Sequence, residues 1–183
     1  MTFAEERLMA DRALEAEDSD PAAYPPAANR FRAARIRLGV SEQEVAERWG
    51  LEASMYWDLE LYDDEVFTCI DLDDVPRLAR VLETPVMTLL FGSEPESPLA
   101  PVPYEEVARR ITEETTRRSM DLEQLAETVG WDLEPIVRQP DEVGKLNVEG
   151  LYDICSAVGL DWVAVLAEAV MRTADQRNAA DTR

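Results

Sequence analysis

The sequence predicts an all-α protein: two tandem five-helix units behind an N-terminal helical arm. Three observations carry that expectation. Apolar residues recur at helical spacing in segments opened by capping residues and closed by glycines. Proline-rich stretches divide these segments into blocks. One block also repeats: Val45-Ala-Glu-Arg-Trp-Gly50-Leu51 aligns with Leu125-Ala-Glu-Thr-Val-Gly130-Trp131 at an offset of 80. Val75, Leu78, Ala79, Leu82, Leu89 and Leu90 align with Leu151, Ile154, Cys155, Val158, Val165 and Leu166 at an offset of 76, which sets Asp71 on Asn147. The change of four between blocks implies a shorter middle loop in the second copy, and a repeat of this period marks a duplicated structural unit.

Residues 3–17 hold good helix formers with Phe3, Leu8, Met9 and Leu14 as a partial apolar stripe, and read as the arm. Pro21, Pro25 and Pro26 make 19–28 a linker, so the arm and its connection occupy 1–28. The first unit, 29–92, opens with a helix at about 29–38 that Gly39 ends. Ser41-Glu42-Gln43-Glu44 is a capping box, in which hydroxyl and carboxylate each satisfy the other residue's backbone N–H; its helix stops at Gly50. A third helix is expected over 53–61. After an acidic loop, Asp71 is expected to cap a helix through Leu82, and a short helix follows at 85–91. Pro95, Pro98, Pro101 and Pro103 mark a linker over 93–103. The second unit, 104–173, repeats the scheme: 104–117, then 121–129 opened by Asp121-x-x-Gln124 and closed by Gly130, then 133–138 cut by Pro140. Asn147 caps a helix through Val158, and a last helix runs from Asp161 to about 173. Residues 174–183 are expected to form a flexible tail.

Composition excludes several classes. At 46% hydrophobic and 31% charged, the 183-residue chain reads as soluble and globular. No apolar run approaches the roughly 20 residues of a membrane span. The first twenty residues carry acids where a signal peptide has bases, so a cytoplasmic location is expected. Cys69 and Cys155 stand apart in apolar settings and are expected as buried free thiols. The absence of histidine removes Ser-His-Asp and Cys-His hydrolysis and His-ligated zinc. No phosphate-binding glycine loop is present, and Asp71-Leu-Asp73-Asp74 lacks the later Gly and Glu of a calcium loop. No pair among the 39 acids is marked out for acid–base work, so the chain is read as non-enzymatic, without cofactor or metal.

The charge is the chain's most specific feature. The formal net charge is −21, from 39 acids against 18 bases. Residues 49–76 contain no Lys or Arg but nine carboxylates: Glu52, Asp58, Glu60, Asp63, Asp64, Glu65, Asp71, Asp73 and Asp74. Such a surface repels phosphate and favours basic partners.

The segment Arg30-Phe-Arg-Ala-Ala-Arg35-Ile-Arg-Leu-Gly39-Val-Ser41-Glu-Gln-Glu-Val-Ala46-Glu-Arg-Trp-Gly50, continued by Tyr56-Trp-Asp-Leu-Glu60 and Leu72 to Leu90, resembles the phage-repressor (Cro/CI, XRE-like) helix-turn-helix family. The resemblance covers about 29–92, and 104–168 forms a second, more diverged copy. It implies that Arg35 and Glu60 form a structural pair between the first helix and the end of the recognition helix. It further implies that Ala46 and Gly50 let the two turn helices approach, with Trp49, Tyr56 and Leu59 in the core. The family's base-reading positions carry over onto Ala53, Ser54, Met55 and Asp58, and a phosphate-touching Gln is here Glu42. None is a good donor to guanine or phosphate. The second copy carries Asp132, Glu134 and Pro135 there, with Arg138 its only base.

The expectation is therefore a degenerate DNA-binding scaffold turned to protein binding. Glu52, Asp58, Asp63, Asp64 and Glu65, with Met55 and Trp57 as apolar anchors, would occupy a basic, nucleic-acid-acting partner. Such a protein would act as an immunity protein, an antitoxin-like regulator or a DNA mimic. Asp58, Asp63 and Asp64 are expected to be exposed and dispensable for folding. The alternative is a transcriptional regulator that still binds operator DNA through Arg30, Arg32 and Arg37, or Arg109, Arg110, Arg117 and Arg118. Dimerisation through the second unit is left open by the sequence.

Overall fold

The computed structural model describes residues 27–93 and 100–180, with side chains through residue 172. The arm expected at 3–17 and the last three residues of the tail lie outside them. Among the described residues the chain is all-α, and its one departure is an isolated antiparallel bridge between Asp71 and Asn147. No helix there is long and apolar enough to cross a membrane.

The first half runs α1 (Ala28–Leu38), α2 (Glu42–Trp49), α3 (Ala53–Leu59), α4 (Glu65–Thr68), α5 (Val75–Val81) and α6 (Val86–Phe91). The second runs α7 (Tyr104–Arg118), α8 (Leu122–Val129), α9 (Glu134–Arg138), a 3-10 turn (Pro140–Lys145), α10 (Val148–Val158) and α11 (Trp162–Ala180). Each half therefore holds one more helical piece than the five expected. The additions are equivalent: moved by 76 residues, α4 falls inside the 3-10 turn. Pieces this short show no helical period in sequence. α3 also stops earlier than expected, whereas α11 continues past the expected end at about 173 to Ala180.

The capping signals act in the same way in both halves. Ser41 Oγ accepts from Glu44 N at 3.1 Å while Ser41 N donates to the Glu44 carboxylate at 2.9 Å. In α8, Gln124 N donates to Asp121 Oδ1 at 2.8 Å and Asp121 N to Gln124 Oε1 at 3.1 Å. Gly50, at φ 93°, adopts the left-handed conformation that turns the chain sharply from α2 into α3, which costs a residue with a Cβ.

Asp71 does not cap α5 through its side chain. The N-cap is Asp74, with no side-chain cap bond, and Asp71 contributes its carbonyl to Asp74 N and Val75 N. Asp71 is instead drawn to the seam, where it bridges Asn147, its own equivalent in the repeat. Leu72 N donates to Leu146 O at 2.8 Å, and Asp73 N to Gly144 O at 3.1 Å. Asn147 Oδ1 caps α10 by accepting from Gly150 N at 2.7 Å, while its Nδ2 donates across the seam to Thr68 O. Behind these polar links, Val66, Phe67, Ile70 and Leu72 share one hydrophobic core with Leu146, Val148 and Leu151. Phe91 and Trp162 meet edge to face at 5.6 Å between ring centres, a second apolar contact between the halves.

Asn147 thus has two separable duties. Asn147→Ala loses both and is expected to cost about 1–3 kcal/mol, summing a lost cap and a lost cross-seam hydrogen bond. Asn147→Ser keeps the cap but is too short to reach Thr68, so its cost in urea denaturation should be less than half as large. Equal losses would show that the seam bond contributes nothing.

Candidate functional site

The first unit's turn is held by a buried carboxylate. Glu60, only 2% exposed, sits at the C-terminal end of α3. Arg35 of α1 grips it with two parallel bonds, Nε to Oε1 at 2.5 Å and Nη2 to Oε2 at 2.6 Å. Such a bidentate fork is the strongest pairing a carboxylate finds among side chains. Arg35 Nη2 also reaches Glu42 Oε1 at 3.2 Å, and Arg32 Nη2 donates to the Glu60 carbonyl at 2.8 Å. The hydrogen bonds to Glu60 push the Arg35 guanidinium pKa upward, so it stays charged throughout. Burial, aided by the Glu60 charge, pushes the neighbouring Tyr56 hydroxyl pKa upward. The position where the family resemblance implies a phosphate contact, Glu42, is thus used internally.

The expected partner-binding residues do not form one face. Glu52, Met55, Trp57, Asp63 and Asp64 are exposed, while Asp58 and Glu65 are half-buried. Asp58 is therefore less open than expected. Tyr56 and Leu59 fix the buried side of α3. At about 100° per residue, Met55 and Trp57 then lie some 160° apart, on opposite flanks of the helix. Ser54 and Asp58 occupy the crest between them. Trp57, at 53% exposed, and Met55, at 39%, therefore bracket the acidic crest from opposite flanks. Asp63 also supports the fold directly. Its Oδ1 accepts from Ala28 N at 3.0 Å, filling the place of the missing cap at the start of α1. Cys69, expected to be buried, is exposed at the end of α4, whereas Cys155 is buried.

The rest of the acidic run turns inward to the seam. Asp71, Asp73 and Asp74 line a cleft of about 410 Å³ with Arg77, Tyr104, Asp141, Lys145 and Arg172. Asp74 pairs with Arg77 at 2.5 Å, and Asp73 lies 3.8 Å from Lys145. Burial first, and then neighbouring carboxylates, push the Asp71 carboxyl pKa upward. Asp73 shifts in the same direction, mainly through burial, although Lys145 opposes it. Among the described residues no group of three or more Cys, Asp or Glu is placed to hold a metal ion.

A larger groove, about 930 Å³, lies on the second unit at the turn between α8 and α9. Leu122, Ala126, Gly130 and Trp131 line it together with Asp121, Glu123, Glu127, Asp132 and Glu134. No base is in the lining. Shifted by 80, Glu127 and Asp132 coincide with Glu47 and Glu52, so both units carry acids at these positions of the turn. The acids are plain in the sequence; the concavity depends on how α8 and α9 pack, which no local pattern reports.

The arginines that an operator-binding reading would use are occupied. On α1, Arg30 closes the last carbonyls of α6 (Leu89 O at 2.7 Å, and Leu90 O), and Arg37 reaches Leu82 O, Glu83 O and Thr84 Oγ1. Arg32 is committed to Glu60. On α7, Arg109 and Arg110 share Glu106, while Arg117 and Arg118 hold Glu114 at 2.6 and 2.5 Å. The chain matches no known family, no curated protein and no solved structure.

Two measurements test these assignments. Glu60→Gln removes the charge but keeps the size, leaving Arg35 poorly paired, and should cost roughly 1–3 kcal/mol in urea denaturation. Asp63→Asn keeps an acceptor for Ala28 N, so it should be far milder than Asp63→Ala. The acid limb of stability tests Glu114, whose carboxyl is pulled down to about 2 by hydrogen bonds from Arg117 and Arg118. A depressed folded-state pKa stabilises above the ordinary value of 4.5, and that contribution is lost as pH falls from there towards 2. Asp71 and Asp73, shifted upward, act in the opposite sense: their protonation favours the folded state as pH falls. Stability profiles of wild type and Glu114→Gln should therefore converge in that window, and parallel profiles would show that Glu114 contributes nothing to the acid limb.

Proposed function

We propose that this protein is a non-enzymatic regulator that binds a basic, nucleic-acid-acting protein through the carboxylates around its helical turns. Immunity, antitoxin-like and DNA-mimic roles all fit that chemistry. The observation that carries the proposal is the partition of charge. Arginines on α1 and α7 are bonded to the protein's own carbonyls and carboxylates, while Glu52, Asp58, Asp64 and Glu65 stand around α3 and α4 outside the ion pairs formed among the described residues. A protein that reads DNA needs several cationic phosphate contacts. Presenting carboxylates instead steers a cationic protein by long-range attraction, which raises its association rate more than its final affinity.

The sequence resemblance to repressor-type helix-turn-helix units is consistent with this reading. A regulator that still binds an operator is the alternative. It would draw on the α1 or α7 arginines, now bonded within the protein, or on exposed cations elsewhere such as Arg48 on α2 and Arg80 on α5.

Affinity capture from the native cell at low and high salt is the first test. A basic nucleic-acid-acting protein, retained at low salt and lost at high salt, is the expected result. With that partner in hand, Asp58→Asn/Asp64→Asn/Glu65→Gln should leave stability within about 0.5 kcal/mol of wild type, because none of the three side chains caps a helix start as Asp63 does. Association should slow markedly and lose most of its salt dependence. Unchanged association would reduce the crest to a solvated surface. Specific duplex binding by the triple variant would instead favour the operator reading.

A further inference from the structure

The α8–α9 groove combines two features absent from an ordinary acidic surface: a fixed aromatic floor and two carboxylates with no internal role. Trp131 is held from behind by α10. Its Nε1 donates to Asp153 Oδ2 at 3.3 Å, and its six-membered ring lies so close to Gly150 that an added Cβ would stand 2.7 Å from Cε2 and Cζ2. The half-buried indole is therefore locked in place, with its remaining surface on the groove beside Leu122 and Ala126. Of the surrounding acids, Asp132 Oδ1 accepts from Glu134 N at 3.0 Å, and Glu134 pairs with Arg138 at 2.5 Å. Glu123 and Glu127 are exposed, four residues apart on one side of α8, facing the same groove.

We propose that this groove is a receptor for an arginine side chain carried on a basic segment of a protein partner. It rests on the reading of the chain as a binder of basic proteins and adds a defined subsite to it. A planar guanidinium stacks on the indole and directs its N–H groups to Glu123 and Glu127. An ammonium group is more strongly hydrated and lacks the fork, so it fits less well. The volume, at about 930 Å³, suits a short segment rather than a bulky domain. Glycine at 150 is what seats the indole, so the platform is built by the α10 backbone.

The test uses the full chain and a capped peptide of alternating glycine and arginine, with lysine and citrulline versions as controls, followed by calorimetry. Saturable one-to-one binding is expected, strongest for arginine, weaker for lysine and absent for citrulline. Glu123→Gln/Glu127→Gln should weaken binding by about tenfold or more, as expected from losing both charges beside a cation–π contact. Gly150→Ala displaces the indole while leaving every carboxylate in place, and should weaken binding as well. Asp58→Asn/Asp64→Asn/Glu65→Gln, on the other unit, should leave it unchanged. Circular dichroism confirms that each variant is folded. Non-saturable binding, equal affinity for the arginine and lysine peptides, or indifference to Glu123→Gln/Glu127→Gln overturns the proposal. So does self-association in sedimentation that the same double variant abolishes, which would make a second copy the occupant. Capture of a basic partner without peptide binding sinks this inference alone. Peptide binding without any basic partner in the cell keeps the receptor and sinks the reading above.

Discussion

A carboxylate buried in a chain of net charge −21 must be held by a cation, and the Arg35–Glu60 fork is where this fold meets that demand. Left unpaired, Glu60 would lose its hydration with nothing in return. Paired, it fastens the end of α3 to the last turn of α1, and Arg32 adds a second tie to the Glu60 carbonyl. That fixes the rotation of α3, with Tyr56 and Leu59 inward. The outward position of Ser54 and Asp58 follows from the same constraint. The acidic crest is therefore a consequence of an internal ion pair, and any partner of that crest depends on it indirectly.

The same economy governs the remaining cations. Exposed ion pairs contribute little to stability, so bonds such as Arg109 to Glu106 and Glu113 matter chiefly for where they leave the charge. Each arginine turned to a backbone carbonyl or a neighbouring glutamate has its charge partly offset where it stands, even where, as at Arg109 and Arg117, the side chain stays exposed. Arg30 and Arg37 close helix C-terminal carbonyls that otherwise need water or a glycine cap. The result is a surface whose sign is set by placement as well as by composition.

Much of the architecture is legible in the sequence because it is written locally. Ser41-x-x-Glu44 and Asp121-x-x-Gln124 each satisfy orphan N–H groups in a way that composition announces, and Gly39, Gly50 and Gly130 mark left-handed stops. The short pieces α4 and the 3-10 turn are not legible, since a single turn leaves no period. Nor is the fate of the acidic run. As a string of carboxylates it looks uniform, yet Glu60 is buried in the fork, Asp63 fills a helix start, Asp71 to Asp74 turn into the seam, and Glu52, Asp58, Asp64 and Glu65 stay outside the ion pairs among the described residues. Those divisions depend on contacts between residues far apart in the chain, as Ala28 is from Asp63 and Asp71 from Asn147. The opposed placement of Met55 and Trp57 is calculable from helical spacing, once Tyr56 and Leu59 are taken as the inward pair.

The seam joins positions that the sequence alignment sets on one another. Asp71 and Asn147 occupy equivalent positions, and the structure pairs them with each other. The aligned positions nevertheless differ in chemistry. At the seam, the second copy has Asn147 for Asp71, which removes a like-charge contact between equivalent positions and supplies the donor that reaches Thr68. At the turn, it has Trp131 for Leu51 and Asp121 for Ser41, deepening both the aromatic and the acidic character of the groove. The two aligned turns therefore carry different chemistry: the α8–α9 turn holds the indole and its acids, while the Arg35–Glu60 fork ties α3 to α1 beside the other.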